Sequence, residues 1–405
     1  MSSNKVYFPN LNGLRFFAAL AVIFTHIELV KRMLGFGSHW RDLDTLSFQI
    51  PANSIYHREI SWVTPLIANS GPLGVVFFFV LSGFLITYLL FSEKELISRI
   101  SIKQFYMRRI LRIWPLYYFV MFLGFFVLNK LALFEVPVQS RAMTNDYWEN
   151  FFLFLFLLPN LSFSMYLAMP NIGQLWSIGV EEQFYIIWPW IIRKTKGFLK
   201  AMVIFTVVLI IFKVIVLFVT TNYSGYWFGV LKKFVAMSKL ECMSLGGIGA
   251  YLLFYKKEKI VNIIESKLLF VLAILIIPIL IFFSSRTFQN GIYLIYSVSF
   301  LVIILHLSAA KKPIIALEYK WLNYLGKISF GIYMYHMMSI ALVLHIARDY
   351  FKIDRDLSGT QNLMVYLGVI GITIILASLS YYGFERYFIR LKKGVTNVTS
   401  GENAK

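Results

Sequence analysis

The stretch "LNGLRFFAALAVIFTH", Leu11 to His26, is apolar apart from polar Asn12, one arginine near its start and a threonine–histidine pair at its end. Arg15 and His26 lie 26 − 15 = 11 residues apart. At about 3.6 residues per turn that is close to three helical turns, so the two share a face, with His26 roughly 16 Å further along the axis. The run continues to about residue 32, which is long enough for a membrane span. On such a span Arg15 is expected near the inner surface and His26 near the middle of the bilayer. An arginine at a helix mouth also serves as a snorkelling anchor, and a histidine in an apolar helix also serves as a hydrogen-bonded packing residue. The shared face is what sets the pair apart from either residue alone, because an ionisable group inside a span is costly and usually faces the bundle interior.

Working outward, the same apolar character fills the chain. Of 405 residues, 59% are hydrophobic and only 15% charged, against about half and about a quarter in a soluble domain. Long apolar runs recur from end to end, so the expectation is a polytopic membrane protein. The formal net charge of +19 fits Lys and Arg collecting in cytoplasmic loops, and no nucleic-acid partner is expected. The lone cysteine, Cys242, excludes an internal disulfide and a cysteine metal cluster. Arg15 interrupts the first apolar run and no small-residue cleavage site follows it, so this span is expected to be retained rather than removed as a signal peptide.

Eleven apolar segments stand out, at about 12–32, 72–91, 113–129, 148–168, 174–192, 198–220, 236–255, 266–284, 290–309, 325–347 and 361–384. The loop carrying Lys94, Arg99, Lys103, Arg108, Arg109 and Arg112 is basic, as are "RKTKGFLK" (193–200), "YKKEK" (255–259), "AKKP" (310–313) and "RLKK" (390–393). Placing all of these inside leaves one crossing for two candidates, 148–168 and 174–192. Segment 148–168 contains "LPNLS", and proline breaks a helix and frees backbone groups. It is therefore expected to be re-entrant or interfacial. The predicted fold class is all-α: about ten transmembrane helices plus one re-entrant or interfacial segment, with both termini cytoplasmic. Residues 1–387 are expected to form a single membrane domain and 388–405 a short polar cytoplasmic tail, its last fifteen or so residues, "LKKGVTNVTSGENAK", without fixed structure.

Several polar groups interrupt these segments. "QLWSIGVEEQFYIIWPW" (174–190) places Glu181 and Glu182 inside a span, about 100° apart around a helix, so at least one should face the interior and a cation. Arg15, His26 and His336 are candidate partners; a structural ion pair that fixes packing is the plainer alternative. Trp176 suits either an interface anchor or a pocket wall. In "RRILRIWP" (108–115), Arg109 and Arg112 share a helical face, and guanidinium forks suit phosphates, although basic residues also simply mark a cytoplasmic loop. Ser82 and Gly83 in "LSGFLITYLL" (81–90) permit close helix approach. His336 sits near mid-span among aromatics in "GKISFGIYMYHMM" (326–338). No HExxH or close ligand spacing points to a metal site.

Taken in order, "GLRFFAALAVIFTH", "VFFFVLSGFLIT", "RRILRIWPLY", "LWSIGVEEQFYIIWP", "ISFGIYMYH" and "FERY" resemble the membrane acyltransferase 3 family, from about Leu11 to Tyr387. The resemblance implies an O-acyltransferase in the cytoplasmic membrane. Such a protein moves an acyl group, usually acetyl, from cytoplasmic acyl-coenzyme A to a hydroxyl of an extracytoplasmic glycan or glycolipid, with no tightly bound cofactor. Carried over by position, the R-x10-H pair falls on Arg15 and His26, the RxxR pair on Arg109 and Arg112, and the WSxxxE region on Trp176, Ser177 and Glu181, with Glu182 following. Many members carry a C-terminal esterase-like domain; none is seen in this sequence, so a separate acyl-handling partner is an expectation.

On this resemblance His26 is expected to act as general base on the acceptor hydroxyl or on an intermediate nucleophile. Arg15 is expected to orient the thioester, and Glu181 to hold the imidazole. Arg109 and Arg112 are assigned to the donor's phosphates, and Ser82, Trp176, Glu182 and His336 to substrate binding. The outer loop 33–71, with Trp40, Tyr56, His57 and Trp62, is a candidate meeting place for a sugar. A proton-coupled transporter also buries Arg, His and Glu in a bundle, but the chain shows no inverted halves. A non-catalytic component of a glycan export complex is the third alternative, and it would tolerate loss of His26.

Overall fold

The structure is a computed structural model, described for residues 5–36, 63–195, 197–283, 289–352, 357–395 and 398–400. The loop aromatics Trp40, Tyr56, His57 and Trp62 lie outside the described residues. After a two-residue strand β1 (Lys5–Val6), the chain runs through α1 (Leu11–Met33), α2 (Val63–Ile97), α3 (Ile102–Phe122), α4 (Pro137–Asn145), α5 (Tyr147–Leu155), α6 (Pro159–Met165) and α7 (Trp176–Lys194). It continues through α8 (Phe198–Asn222), α9 (Tyr226–Met237), α10 (Leu240–Tyr255), α11 (Lys257–Glu265), α12 (Lys267–Phe283) and α13 (Gln289–Ala309). The last helices are α14 (Lys320–Lys327), α15 (Ser329–Asp349), α16 (Gly359–Ser380) and α17 (Arg386–Leu391), followed by strand β2 (Thr399–Ser400).

Among the described residues, seven helices are long and apolar enough to cross a membrane, and eight when α11 and α12, bent by 66° at Ser266, count as one span. Helix α7 has the length, at 19 residues, but carries Glu181, Glu182, Arg193 and Lys194. Helix α10 has only 16 residues. The 148–168 segment is broken as its sequence suggests. Helix α5 stops after nine residues and α6 runs for seven. Between them Leu157 takes φ 61, and Pro159 opens α6, where its missing N–H costs nothing. Neither piece reaches the roughly 20 residues a crossing needs.

Many large apolar side chains are exposed on the helices while some polar and charged groups are buried between them, as expected of a multi-pass membrane protein. On α8, Val207, Val208, Ile211, Phe212, Ile215 and Phe218 are exposed, while Thr206, Lys213 and Thr220 are buried. Lys213 pairs with Glu241 of α10 at 2.5 Å, so the buried charge is compensated. Helix α2 forms the centre, packed along α1 and α10. The contact with α10 is backbone to backbone. A Cβ on Gly83 would stand 1.8 Å from the Met243 carbonyl oxygen, and one on Gly246 2.0 Å from that of Val80. Small residues at these two positions let the helices touch.

The described part of the C-terminal stretch makes contacts with the rest of the chain. Residues 386–391 are helical, Arg108 donates to the Val395 carbonyl at 3.4 Å, and β2 pairs in parallel with β1, Lys5 opposite Thr399 and Val6 opposite Ser400. Polarity argued for disorder, but backbone pairing with the N-terminal strand is a tertiary effect with no local signal.

Candidate functional site

Helices α1, α2, α3, α7 and α15 enclose a cavity of about 190 Å³. Arg15 reaches it from α1, Ser82 from α2, Arg109 and Arg112 from α3, and Glu181 from α7. The three-residue spacing on α3 turns both arginines to one side, and the eleven-residue spacing on α1 does the same for Arg15 and His26. Arg15 Nη1 donates to Asn12 Oδ1 at 3.1 Å, and Asn12 Nδ2 donates to Asn323 Oδ1 at 3.3 Å. Glu181 accepts from Ser82 Oγ at 2.9 Å and from Tyr185 OH at 2.8 Å. Arg109 lies 5.9 Å from the Tyr185 ring, and its Nε is buried with no hydrogen-bond partner. Three guanidinium groups thus share one partly open cavity with a single carboxylate, which favours an anionic occupant.

A fourth cation stands beside them. Burial, and then the positive charges of Arg109, Arg112 and Arg108, push the Lys392 ammonium well below the usual lysine range. Of these, Arg108 is already paired, to Glu93 at 2.6 Å.

Ser177 and Tyr333 also line the cavity. The Tyr333 hydroxyl donates to the Gln174 carbonyl at 3.0 Å and lies 2.7 Å from Ser177 Oγ. Behind it, the Tyr333 ring is 5.6 Å from that of His336. His336 Nε2 lies 3.2 Å from His26 Nδ1. Each Nδ1 also meets a backbone carbonyl of its own helix, His26 that of Val22 at 3.0 Å and His336 that of Tyr333 at 2.6 Å. Neither histidine lines the cavity itself.

The structure brings together Arg15, Ser82, Arg109, Arg112 and Glu181, and separately His26 with His336. It sets the helix phase of α7, which sequence left open: Glu181 faces the cavity, while Glu182 turns to α3 and accepts from Trp114 Nε1 at 3.1 Å. Trp176 packs edge-on against Phe79, 6.3 Å between ring centres, and does not line the cavity. The expected bond from Glu181 to His26 is absent: Glu181 lines the cavity, bonded to Ser82 and Tyr185, whereas His26 lies behind it against His336. Tyr185 and Tyr333 were not singled out by sequence. The signal was there for both, one turn after Glu181 and one turn before His336. Lys392 had none, since its place depends on how the chain end folds back.

The sequence matches the profile of the Acyltransferase domain family over residues 8–382. The chain belongs to that family. It is similar to O-acetyltransferase OatA of Staphylococcus aureus, with 25% identity across 96% of this chain and 60% of the relative. The chain thus spans about 60% of that relative's length. It is also similar to the peptidoglycan O-acetyltransferase OatA of Listeria monocytogenes, with 30% identity across 46% of this chain and 24% of the relative. No solved structure matches the chain.

Proposed function

We propose that this acyltransferase-family protein moves an acyl group, acetyl in the first instance, from acyl-coenzyme A to a hydroxyl of an extracytoplasmic glycan such as peptidoglycan, or of a glycolipid. The observation that carries the proposal is the single line of groups from Arg109, Arg112 and Arg15, through Ser177 and Tyr333, to the His336–His26 pair. The donor's phosphates go to Arg109 and Arg112, with Lys392 adding charge. Glu181 keeps the unliganded arginines compensated, and Arg15, held by Asn12, takes the donor arm. His26 removes the acceptor hydroxyl's proton; the oxygen attacks the thioester carbonyl, the carbon–sulfur bond breaks, and coenzyme A leaves as thiolate and is protonated. A site inside the membrane suits substrates that arrive from opposite faces.

The proposed placement is the cytoplasmic membrane, with ten crossings: the eight spans above plus α7 and α10. An even count puts both chain ends on one side, in keeping with the β1–β2 pairing. The basic loops put that side in the cytoplasm.

The test uses inverted membrane vesicles with wild type or His26→Ala at matched expression, with cell-envelope glycan enclosed in the lumen and acetyl-labelled acetyl-coenzyme A supplied outside. Release of coenzyme A and labelling of the glycan in wild type, lost in His26→Ala, support the proposal. Unchanged turnover in His26→Ala removes His26 from the mechanism, and no turnover in either moves the weight to a transporter or an assembly component.

A further inference from the structure

Both histidines of the pair contact a backbone carbonyl through Nδ1, His26 that of Val22 and His336 that of Tyr333. A carbonyl oxygen only accepts, so each Nδ1 carries the hydrogen. A neutral imidazole has one such hydrogen, which leaves Nε2 of each ring as an acceptor. The contact between the rings then has one consistent assignment. His26 Nδ1–H is shared between the Val22 carbonyl and the Nε2 lone pair of His336, 3.2 Å away. His26 is left with a bare Nε2.

We infer that His336 is a positioning residue that locks His26 in the Nδ1–H tautomer and so aims the Nε2 lone pair as the base. The assignment also gives His336 a part in the charged state. When His26 Nε2 takes a proton, the imidazolium keeps its Nδ1–H directed at a neutral acceptor, the role a carboxylate fills where a base histidine is held by an acid. Here no carboxylate is hydrogen-bonded to either ring among the described residues. The neighbouring ring is Tyr333, whose hydroxyl is committed to the Gln174 carbonyl and to Ser177. An imidazole acceptor adds no fixed charge to a buried site, where an unpaired anion is costly. The inference rests on the proposed function for the role of His26 as base, while the tautomer itself is a property of the resting protein.

The test is 15N-histidine solid-state NMR of the full chain in lipid bilayers, with the two signals assigned by their loss in His26→Gln and His336→Gln. The expected spectrum shows both residues neutral and hydrogen-bearing at Nδ1. In His336→Gln the side-chain oxygen replaces the Nε2 acceptor, so His26 keeps its tautomer and acyl transfer stays within a few-fold of wild type. In His336→Leu only the Val22 carbonyl is left to hold the Nδ1–H, the preference for this tautomer weakens, His26 shows a detectable fraction hydrogen-bearing at Nε2, and the catalysed rate falls on the order of 10-fold, the lower end of the range of other histidine-orienting partners. A wild-type spectrum with His26 hydrogen-bearing at Nε2, or equal rates in the Gln and Leu variants with His26 unchanged in both, overturns the inference. The expected spectrum without any turnover would keep the inference and count against the proposed function alone.

Discussion

Ser82 on α2 and Glu181 on α7, 99 residues apart in sequence, meet at 2.9 Å inside the cavity, with Tyr185 on the other carboxylate oxygen at 2.8 Å. The bonds hold one negative charge at a fixed point opposite Arg15, Arg109 and Arg112. The carboxylate therefore stabilises the empty site and opposes an incoming anion. Glu181→Gln should lower the stability of the unliganded protein by about 1–3 kcal/mol. It should also tighten coenzyme A binding several-fold, on the order of 1 kcal/mol of removed repulsion. Thermal unfolding and calorimetric titration in detergent give both quantities. Weaker binding in Glu181→Gln would mean that the carboxylate contacts the ligand.

Arg109 and Arg112 should act as phosphate forks, not as diffuse charge. The unpartnered Arg109 Nε is a donor kept out of water with nothing to accept from it. Arg109→Gln and Arg112→Gln are each expected to weaken coenzyme A binding about tenfold or more, the scale of a hydrogen bond to a charged group. Lysine should restore little, since an ammonium lacks the planar fork. Full recovery by Arg109→Lys and Arg112→Lys together would reduce the pair to positive-inside charge.

The α2–α10 contact should tolerate no side chain. At Gly83 an added methyl falls 1.8 Å from the Met243 carbonyl oxygen, which belongs to a helix backbone and has no rotamer to change. Gly83→Ala should cost about 1–3 kcal/mol or more, seen as a drop in melting temperature. Gly291→Ala, with nothing within 4 Å, is the helical control and should lose nothing. Equal melting temperatures for the two would mean that the helices stand further apart than described.

Residues near the two ends should be reachable from the same side. In a Cys242→Ser background, Lys5→Cys and Arg390→Cys should react with an impermeant maleimide in inverted vesicles, and Lys352→Cys, beyond the far end of α15, only in right-side-out cells. All three positions are solvent-exposed. Opposite labelling of Lys5→Cys and Arg390→Cys would rule out an even number of crossings.

What was legible in the sequence followed helical periodicity. The eleven-residue spacing of Arg15 and His26 and the three-residue spacing of Arg109 and Arg112 set which face each group takes, and "LPNLS" marked the break between α5 and α6. What failed to show were the contacts between distant segments. Two adjacent glutamates are equivalent in sequence, and only the packing of α2 on one side of α7 and α3 on the other separates Glu181 from Glu182. His336 was visible as a buried histidine, but its partner sits 310 residues away. Residues 392–395 and 399–400 carry no local sign of structure, because what they touch lies in α3 and β1.

Lys392 offers the sharpest dependence on pH. Its ammonium is held well below the ordinary range by burial and by Arg109, Arg112 and Arg108, whereas in the unfolded chain it titrates near about 10.4. Between those two values the folded protein binds fewer protons than the unfolded, so stability rises with pH across the window and is lowest below it. Lys392→Met removes that cost. The variant should melt above wild type, by most at the low end of the window, with the gap closing as pH approaches about 10.4. A bound polyanion reverses the sign, since it favours the protonated ammonium. Within that window coenzyme A should therefore bind wild type with proton uptake, visible as a heat that changes with the buffer's ionisation enthalpy, whereas below it, where the ammonium is already charged, the uptake should vanish and Lys392→Met should bind several-fold more weakly than wild type. A variant that melts below wild type at every pH would show that the ammonium serves packing, and that the cluster is not held in tension for an anion.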